Sequence, residues 1–164
     1  FEYMLFKYNS ESYLALDLDS VNRFETINTG KFETVGNNVI YNYRGKVLPI
    51  VDPAFKLGLT DVNNVAESLN ENRNVEIVVG QYEDRLVGLF VNSLDEIKKT
   101  YEELNTDTID IPGLKGSVFL EGRTISVLDL SYLFQVLNKK IMIKEREDTL
   151  LEFNIPSEDG NLAA

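Results

Sequence analysis

The strongest local signal in this sequence is the run Asn42-Tyr43-Arg44-Gly45-Lys46-Val47-Leu48-Pro49-Ile50-Val51-Asp52. Aromatic and β-branched residues from Val39 to Tyr43 predict one strand, and Lys46 to Val51 predict a second. Arg44-Gly45 is the tip between them, because glycine readily adopts the positive φ that a two-residue hairpin turn requires. We therefore expect a β-hairpin here, followed directly by a short helix.

Further strands are predicted on both sides of this hairpin. They span Tyr3 to Tyr8, Tyr13 to Leu18, Val75 to Gly80, Arg85 to Val91, Ser117 to Leu120 and Thr124 to Leu128. The last pair meets at a tip that contains Gly122. Many short strands separated by turn residues are typical of small barrels or a sandwich.

Helical segments are predicted to be short. Asp52 and Asp129 each precede such a segment, and we interpret both as N-caps whose carboxylates accept backbone N–H bonds. Residues 60–74 are polar and Asn-rich, so we interpret them as a connecting loop with room for one helical turn at residues 65–68.

The two halves of the chain resemble each other. Residues 39–52 match residues 116–129 in their glycine, apolar and aspartate positions, and residues 14–24 match residues 87–97 in the same order. We predict a domain over residues 1–144 with two β subdomains, at about 12–70 and 71–144, that share an interface. The N-terminal strand is a candidate to cross into the second subdomain. Residues 145–164 are expected to be a polar tail.

Composition excludes several function classes. The 164 residues are 43% hydrophobic and 26% charged, which is typical of a globular protein, and the net charge is −11. So acidic a chain is a poor candidate for binding nucleic acid or anionic membranes, since both need clustered Lys and Arg. The sequence has no Cys and no His, which excludes thiolate or imidazole catalysis and the metal sites built on those groups.

No targeting or membrane-spanning segment is visible, because the apolar runs are far shorter than a bilayer requires. A cytoplasmic location without direct membrane insertion is therefore the expectation. The first residue is Phe1 rather than Met, so we expect the sequence to be part of a longer chain or a processed product.

An acidic chain leaves a carboxylate-dependent hydrolase open as a function class. The candidate pairs are Asp17 with Asp19 and Asp107 with Asp110, but neither lies in a recognisable catalytic frame. Residues 105–110 lack the glycine and final glutamate of an EF-hand loop, and residues 113–116 lack the length of a P-loop. The sequence therefore predicts no metal, no cofactor and no catalytic residue. A ligand-sensing β module is a third class that stays open.

Four motifs in a fixed order resemble the CheW-like domain family. Residues 42–52 resemble its signature, which is an Arg-Gly turn, three residues, a Pro, an apolar pair and an acid. Residues 13–21 resemble its opening segment, and residues 112–130 its closing hairpin. Residues 86–92 resemble its Gly-Leu-x-Val-Asp segment, with Asn92 where Asp is usual. The resemblance covers about residues 3–137.

The resemblance implies an all-β fold of two packed five-stranded SH3-like β-barrels with short helices. It also implies a non-catalytic interaction domain of bacterial chemotaxis signalling that couples chemoreceptors to histidine kinase activity. The implied partners are the cytoplasmic tip of chemoreceptors and a CheW-type adaptor or the kinase CheA, at membrane-associated receptor arrays.

Two members of this family fit the sequence. Arg23 lies where adaptors usually carry an acid, Tyr43 lies where they favour Leu, and Gly116-Ser117 also favours the regulatory domain of CheA. Asn42 and Asp52 instead match the adaptors. We expect the regulatory domain of CheA, with a free-standing CheW or CheV adaptor as the alternative. In the first case the phosphoacceptor His would lie outside this sequence.

Arg44 is the leading candidate for partner contact, because Arg and Tyr often carry the binding energy of interfaces. The alternative is an exposed turn residue or an internal salt bridge. The candidate partner-binding residues are Arg44, Lys46, Tyr43, Arg23, Val118 and Phe119, the last two either in a barrel core or on its partner surface. The residues expected to shape turns, caps and close strand approaches are Gly45, Pro49, Asp52, Gly88, Gly116, Gly122 and Asp129.

Overall fold

A computed structural model of this chain describes residues 1–9, 11–91, 93–100, 102–107 and 110–137, with the backbone alone for residues 93–96. Its strands are β1 Glu2–Lys7, β2 Tyr13–Asp17, β3 Val21–Asn28, β4 Glu33–Val35, β5 Asn38–Tyr43, β6 Lys46–Val51, β7 Asn74–Tyr82, β8 Arg85–Phe90, β9 Ser93–Lys99, β10 Leu114–Leu120 and β11 Arg123–Leu128. Its short helices are α1 Pro53–Lys56 and α2 Asn64–Ser68, with 3-10 turns at Leu18–Ser20 and Thr29–Lys31. Asn92 and the predicted tail at 145–164 lie outside the described residues.

The strands form two sheets. The five-stranded sheet has the order β10-β11-β2-β1-β9, and the six-stranded sheet has the order β3-β7-β8-β6-β5-β4. Neighbouring strands are antiparallel except for two parallel contacts, β11 with β2 and β6 with β8. This mostly β architecture with short helices confirms the predicted fold class, and one of the sheets has a sixth strand, the three-residue β4.

The internal repeat is present in the structure. The parallel contact between β6 and β8 places Ile50 opposite Gly88, and the one between β11 and β2 places Val127 opposite Ala15. The two hairpin tips also share a backbone conformation. Arg44-Gly45 has φ values of 53° and 81°, and Glu121-Gly122 has 50° and 79°. These left-handed pairs are what the twist of a two-residue hairpin demands.

The sheets do not follow a boundary at residue 70. Strands β7 and β8 join β3 to β6 in the six-stranded sheet, while β1 and β2 join β9 to β11 in the five-stranded sheet. The chain therefore leaves the five-stranded sheet at the turn Leu18–Ser20 and returns to it at β9. The predicted subdomain limits differ from this arrangement because residue patterns identify strands but do not identify their partners.

Each sheet has its own apolar core. The residues buried on the six-stranded sheet are Ile27, Phe32, Tyr43, Leu48, Ile50, Val65, Val75, Ile77, Val79 and Phe90. Those buried on the five-stranded sheet are Tyr3, Leu5, Ala15, Val118, Leu120, Ile125 and Val127. The six-stranded sheet also curls, as the contact of β5 with β3 shows: the Tyr43 hydroxyl at the end of β5 bonds to Arg23 and Glu25 on β3, near the opposite end of the strand order.

Asp52 fixes the segment that follows the first hairpin. The residue is 6% exposed, and its carboxylate accepts bonds from the backbone N–H of Phe55 at 3.3 Å and of Asn64 at 3.1 Å. It therefore caps α1, as predicted, and also ties α2 to it. The helical turn expected in the polar segment at 60–74 is α2, which Asn63 caps.

The strands all lie within residues 1–130, one compact unit. Residues 131–164 form a second unit, which is described over residues 131–137. That stretch is helical, and Leu133, Phe134 and Leu137 in it are buried.

Candidate functional site

The tip of the first hairpin presents basic side chains to solvent. Arg44 and Lys46 are exposed, and Val47 beside them is 67% exposed. Arg44 holds a positive φ that arginine rarely adopts, because the two-residue turn requires it. Among the described residues no carboxylate forms a salt bridge with Arg44. The predicted alternative of an internal salt bridge is therefore not observed at this position.

Tyr43 connects both arginines of the predicted site. Its ring is 8% exposed, and the guanidinium carbon of Arg44 lies 5.4 Å from the ring centre. Its hydroxyl accepts a bond from Nη1 of Arg23 and donates one to Oε1 of Glu25, both at 3.3 Å. One buried tyrosine thus contacts two cations, Arg23 through its hydroxyl and Arg44 through its ring.

Glu25 completes this cluster and is not among the candidates predicted from the sequence. Its Oε1 lies 3.4 Å from Nε of Arg23, and the two side chains are 29% and 38% exposed. An ion pair this exposed contributes little to stability, so its main effect is to orient Arg23. The signal available in the sequence was the spacing, since residues two apart on a strand lie on the same face.

Val118 and Phe119 are separated by the alternation of β10. Val118 is 2% exposed and belongs to the core of the five-stranded sheet, whereas Phe119 is 55% exposed. Both lie on a different sheet from the basic hairpin. The structure therefore brings Arg23, Tyr43 and Arg44 together and does not add these two residues to them.

Glycines occupy turns and close contacts at the predicted positions. Gly45 and Gly122 have φ values of 81° and 79° at the two hairpin tips. A Cβ on Gly88 would lie 2.6 Å from Cδ1 of Ile50, and one on Gly116 would lie 2.5 Å from the carbonyl oxygen of Asn105. These four positions therefore exclude larger side chains, two through backbone conformation and two through space.

The other two structural candidates lie beside strands. Pro49 is opposite Ile40 in the hairpin ladder. Asp129 donates its backbone N–H to the carbonyl of Gly113 at 2.8 Å and directly precedes helical residues 130–137.

The acidic residues considered as catalytic pairs are either bonded to a lysine or exposed to solvent. The carboxylate of Asp17 binds Nζ of Lys115 at 2.6 Å, and Asp107 and Asp110 are exposed. Burial, and secondarily the charge of Asp17, raises the pKa of Tyr3. The described residues contain no group of three Asp, Glu, His or Cys side chains that could hold a metal ion.

The sequence was compared with models of known protein families. The model of the CheW-like domain matches residues 2–138. The chain belongs to the CheW-like domain family. The resemblance inferred from the four motifs is thereby confirmed.

Two curated relatives are similar in sequence. A probable chemotaxis protein CheW of Rhizobium etli is 29% identical over 101 residues, and the chemotaxis protein CheW of Rhizobium meliloti is 30% identical over 101 residues. Each match covers 58% of this chain and 61% of the relative, so the chain spans about three fifths of the length of these relatives. Both are named as CheW proteins, which favours the adaptor alternative over the kinase domain.

A solved structure is similar in fold. The scaffolding protein TtCheW from Thermoanaerobacter tengcongensis superposes with a TM-score of 0.59 at 19% identity, over 79% of this chain and 84% of that one. Two of the residues that favoured the kinase domain, Arg23 and Tyr43, are bonded to each other here. They are therefore one local feature rather than two independent indications. Among the described residues no helix is long and apolar enough to cross a membrane.

Proposed function

We propose that this chain is a CheW-type adaptor that couples the cytoplasmic tips of chemoreceptors to the histidine kinase CheA. The names of the two Rhizobium relatives and the family match over most of the chain support this role. The adaptor binds and relays without chemistry of its own and works in the cytoplasm at receptor arrays. It needs no cofactor and no nucleic acid.

The observation that carries the proposal is the exposed basic hairpin tip on an otherwise acidic protein. The chain has a net charge of −11, yet Arg44, Lys46 and Arg23 collect at one end of the six-stranded sheet. A guanidinium that is already held over a buried ring loses less conformational entropy when a partner binds than a freely rotating one does. Its planar shape also allows two parallel hydrogen bonds to a carboxylate of the partner. The exposed Val47 adds an apolar contact beside the charges.

Arg44→Glu in this hairpin tests the proposed contact. We expect affinity for the receptor fragment, CheA or both to fall by at least about tenfold, since a central arginine often carries this much binding energy. Thermal stability should stay within about 1 kcal/mol, as for other surface changes. The measurement is equilibrium binding of the purified chain to each partner from the same organism.

The matched control is Arg73→Glu. Arg73 is 50% exposed and precedes β7 at the end of the β3–β7 ladder that lies away from Arg23. It introduces the same charge change on the same sheet but leaves the hairpin intact. Equal losses for both variants would show that net charge rather than the hairpin determines binding.

A reconstituted assay distinguishes the adaptor from a kinase domain. The purified chain is added to receptor fragments and full-length CheA, and kinase activity is measured as its concentration rises. An adaptor raises receptor-coupled activity up to a plateau. A detached regulatory domain of CheA would instead compete with the intact kinase and lower activity at every concentration, which would refute the adaptor role.

A further inference from the structure

Strand β10 forms one edge of the five-stranded sheet, and its outer side is covered at one residue. Asn105 and Ser117 exchange both backbone hydrogen bonds at 2.8 Å and form an isolated antiparallel bridge. Among the described residues, no other backbone pairing covers this side of β10.

The next edge position is Phe119. Leu120 and Arg123 flank the two-residue turn and therefore form a hydrogen-bonded pair, and pairs alternate along an antiparallel ladder. The N–H and C=O groups of Phe119 consequently point away from β11, on the side where Ser117 binds Asn105. Within the described ranges no backbone group bonds to them. One residue of the edge is thus available for strand pairing.

The side chains around this edge form an open depression of about 550 Å³. Phe119 and Thr124 line it from the sheet, and Glu102 and Glu103 line it from the segment that precedes the bridge. Both glutamates are exposed, and no cation in the described part of the chain forms a salt bridge with either. The depression therefore combines an apolar ring, two uncompensated carboxylates and free backbone groups.

The equivalent position in the first hairpin carries a polar residue instead of an aromatic one. In the internal repeat Phe119 corresponds to Asn42, which is exposed on β5. Strand β5 also pairs with β4 over Asn38 to Ile40, whereas β10 is the last strand of its sheet, where an exposed phenylalanine promotes pairing. The first hairpin therefore has no aromatic side chain at the position equivalent to Phe119.

We propose that the β10 edge at Phe119 binds an extended, basic peptide segment of a partner protein by β-strand addition. The backbone of the segment pairs with Phe119, an apolar side chain covers the phenylalanine ring, and a Lys or Arg side chain reaches Glu102 and Glu103. Charge complementarity selects a basic segment over an acidic one. This surface lies on the five-stranded sheet, so the proposal does not depend on the role of the Arg44 hairpin.

Synthetic peptides test the three parts of this proposal separately. The probe is a short peptide of alternating Val and Lys, compared with a Val and Glu peptide and with a Val and Lys peptide methylated on alternate backbone nitrogens. NMR of the full chain should show saturable shifts of the Phe119 and Ser117 amides with the first peptide. The other two should bind about tenfold more weakly or not at all, and added salt should weaken the first.

Variants then assign the binding to this edge. Phe119→Thr should weaken the Val and Lys peptide about tenfold, while Val35→Thr, at a site that is 53% exposed, should leave it unchanged. The double change of Glu102 and Glu103 to Gln should remove the salt dependence, while Glu67→Gln at an exposed position of α2 should not.

Three results would overturn the proposal. The first is the absence of shifts at about 1 mM peptide, the weakest affinity at which such a segment would matter. The second is equal binding of the methylated peptide, which would exclude strand addition. The third is shifts at Phe119 that depend on protein concentration alone, which would assign the edge to a second copy of this chain.

Discussion

Gly88 is the point where the six-stranded core has no room for a side chain. A Cβ at this position would lie 2.6 Å from Cδ1 of Ile50, 3.1 Å from Cγ2 of Ile77 and 3.2 Å from Cδ2 of Leu48. All three neighbours are at most 3% exposed, so none can move into solvent. Because an overpacked core costs about 1–3 kcal/mol, we expect Gly88→Ala to destabilise the protein by about 2 kcal/mol.

The internal repeat supplies the compensating change. In the five-stranded sheet the equivalent pair is Ala15 opposite Val127, and valine lacks the Cδ1 atom that Ile50 directs at Gly88. Ile50→Val alone should cost about 1 kcal/mol, from the lost methylene. In the double variant that methylene is the group that clashes, so the two costs should not add. We expect a total near 1.5 kcal/mol rather than 3 kcal/mol, a coupling well within the range for residues in contact.

Urea unfolding of the four proteins measures this coupling. The free energy of unfolding is extrapolated to water for the parent, the two single variants and the double variant, and an unchanged slope shows that the denatured state is the same. Additive costs, or a double variant less stable than Gly88→Ala, would refute the reasoning. They would show that the contacts of Ile77 and Leu48, rather than that of Ile50, limit the space at Gly88.

Three further outcomes follow from individual contacts. Asp52→Ala should cost about 2–3 kcal/mol in urea unfolding, because it removes a buried cap and leaves backbone N–H groups of two helices without a partner. The pKa of Tyr3 is raised, first by burial and then by Asp17, so the stability it contributes is present below its ordinary pKa and is lost as pH rises through the folded value. Tyr3→Phe should therefore flatten the fall in melting temperature above about pH 10. Tyr43→Phe keeps the ring but releases Arg23, and should weaken partner binding several-fold in the equilibrium assay without changing stability by more than about 1 kcal/mol.

Much of the candidate site could be derived from local rules. The hairpin tip at Arg44-Gly45 could be predicted from the glycine between two β-branched runs, and the second hairpin tip, at Gly122, could be predicted in the same way. The exposure of Arg44 then follows from its place at the tip. The cap role of Asp52 could also be predicted, because only the neighbouring Pro53 and the helix start are needed to recognise it.

The long-range contacts that assemble the candidate site could not be derived from local sequence rules. Arg23 and Tyr43 are distant in sequence, and their hydrogen bond exists because the six-stranded sheet curls. Sequence alone therefore counted them as separate features that favoured a kinase domain. Val118 and Phe119 are likewise two neighbouring apolar residues in the sequence. The register of β10 places Val118 in the core and Phe119 in solvent.

The sequence by itself determined eight of the eleven strands, the two hairpin tips, the cap at Asp52 and the twofold repeat, because each depends on residues that are neighbours in the chain. It did not predict β3, β4 or β9. Tertiary structure alone decided that β7 and β8 complete the sheet of the first hairpin and that β1 and β2 belong with the last. The physical reason is that strand pairing is non-local, and a run of alternating residues fits any edge of suitable register. For the same reason the exposed edge at Phe119 could not be predicted from the sequence, because it depends on which strands pair with β10.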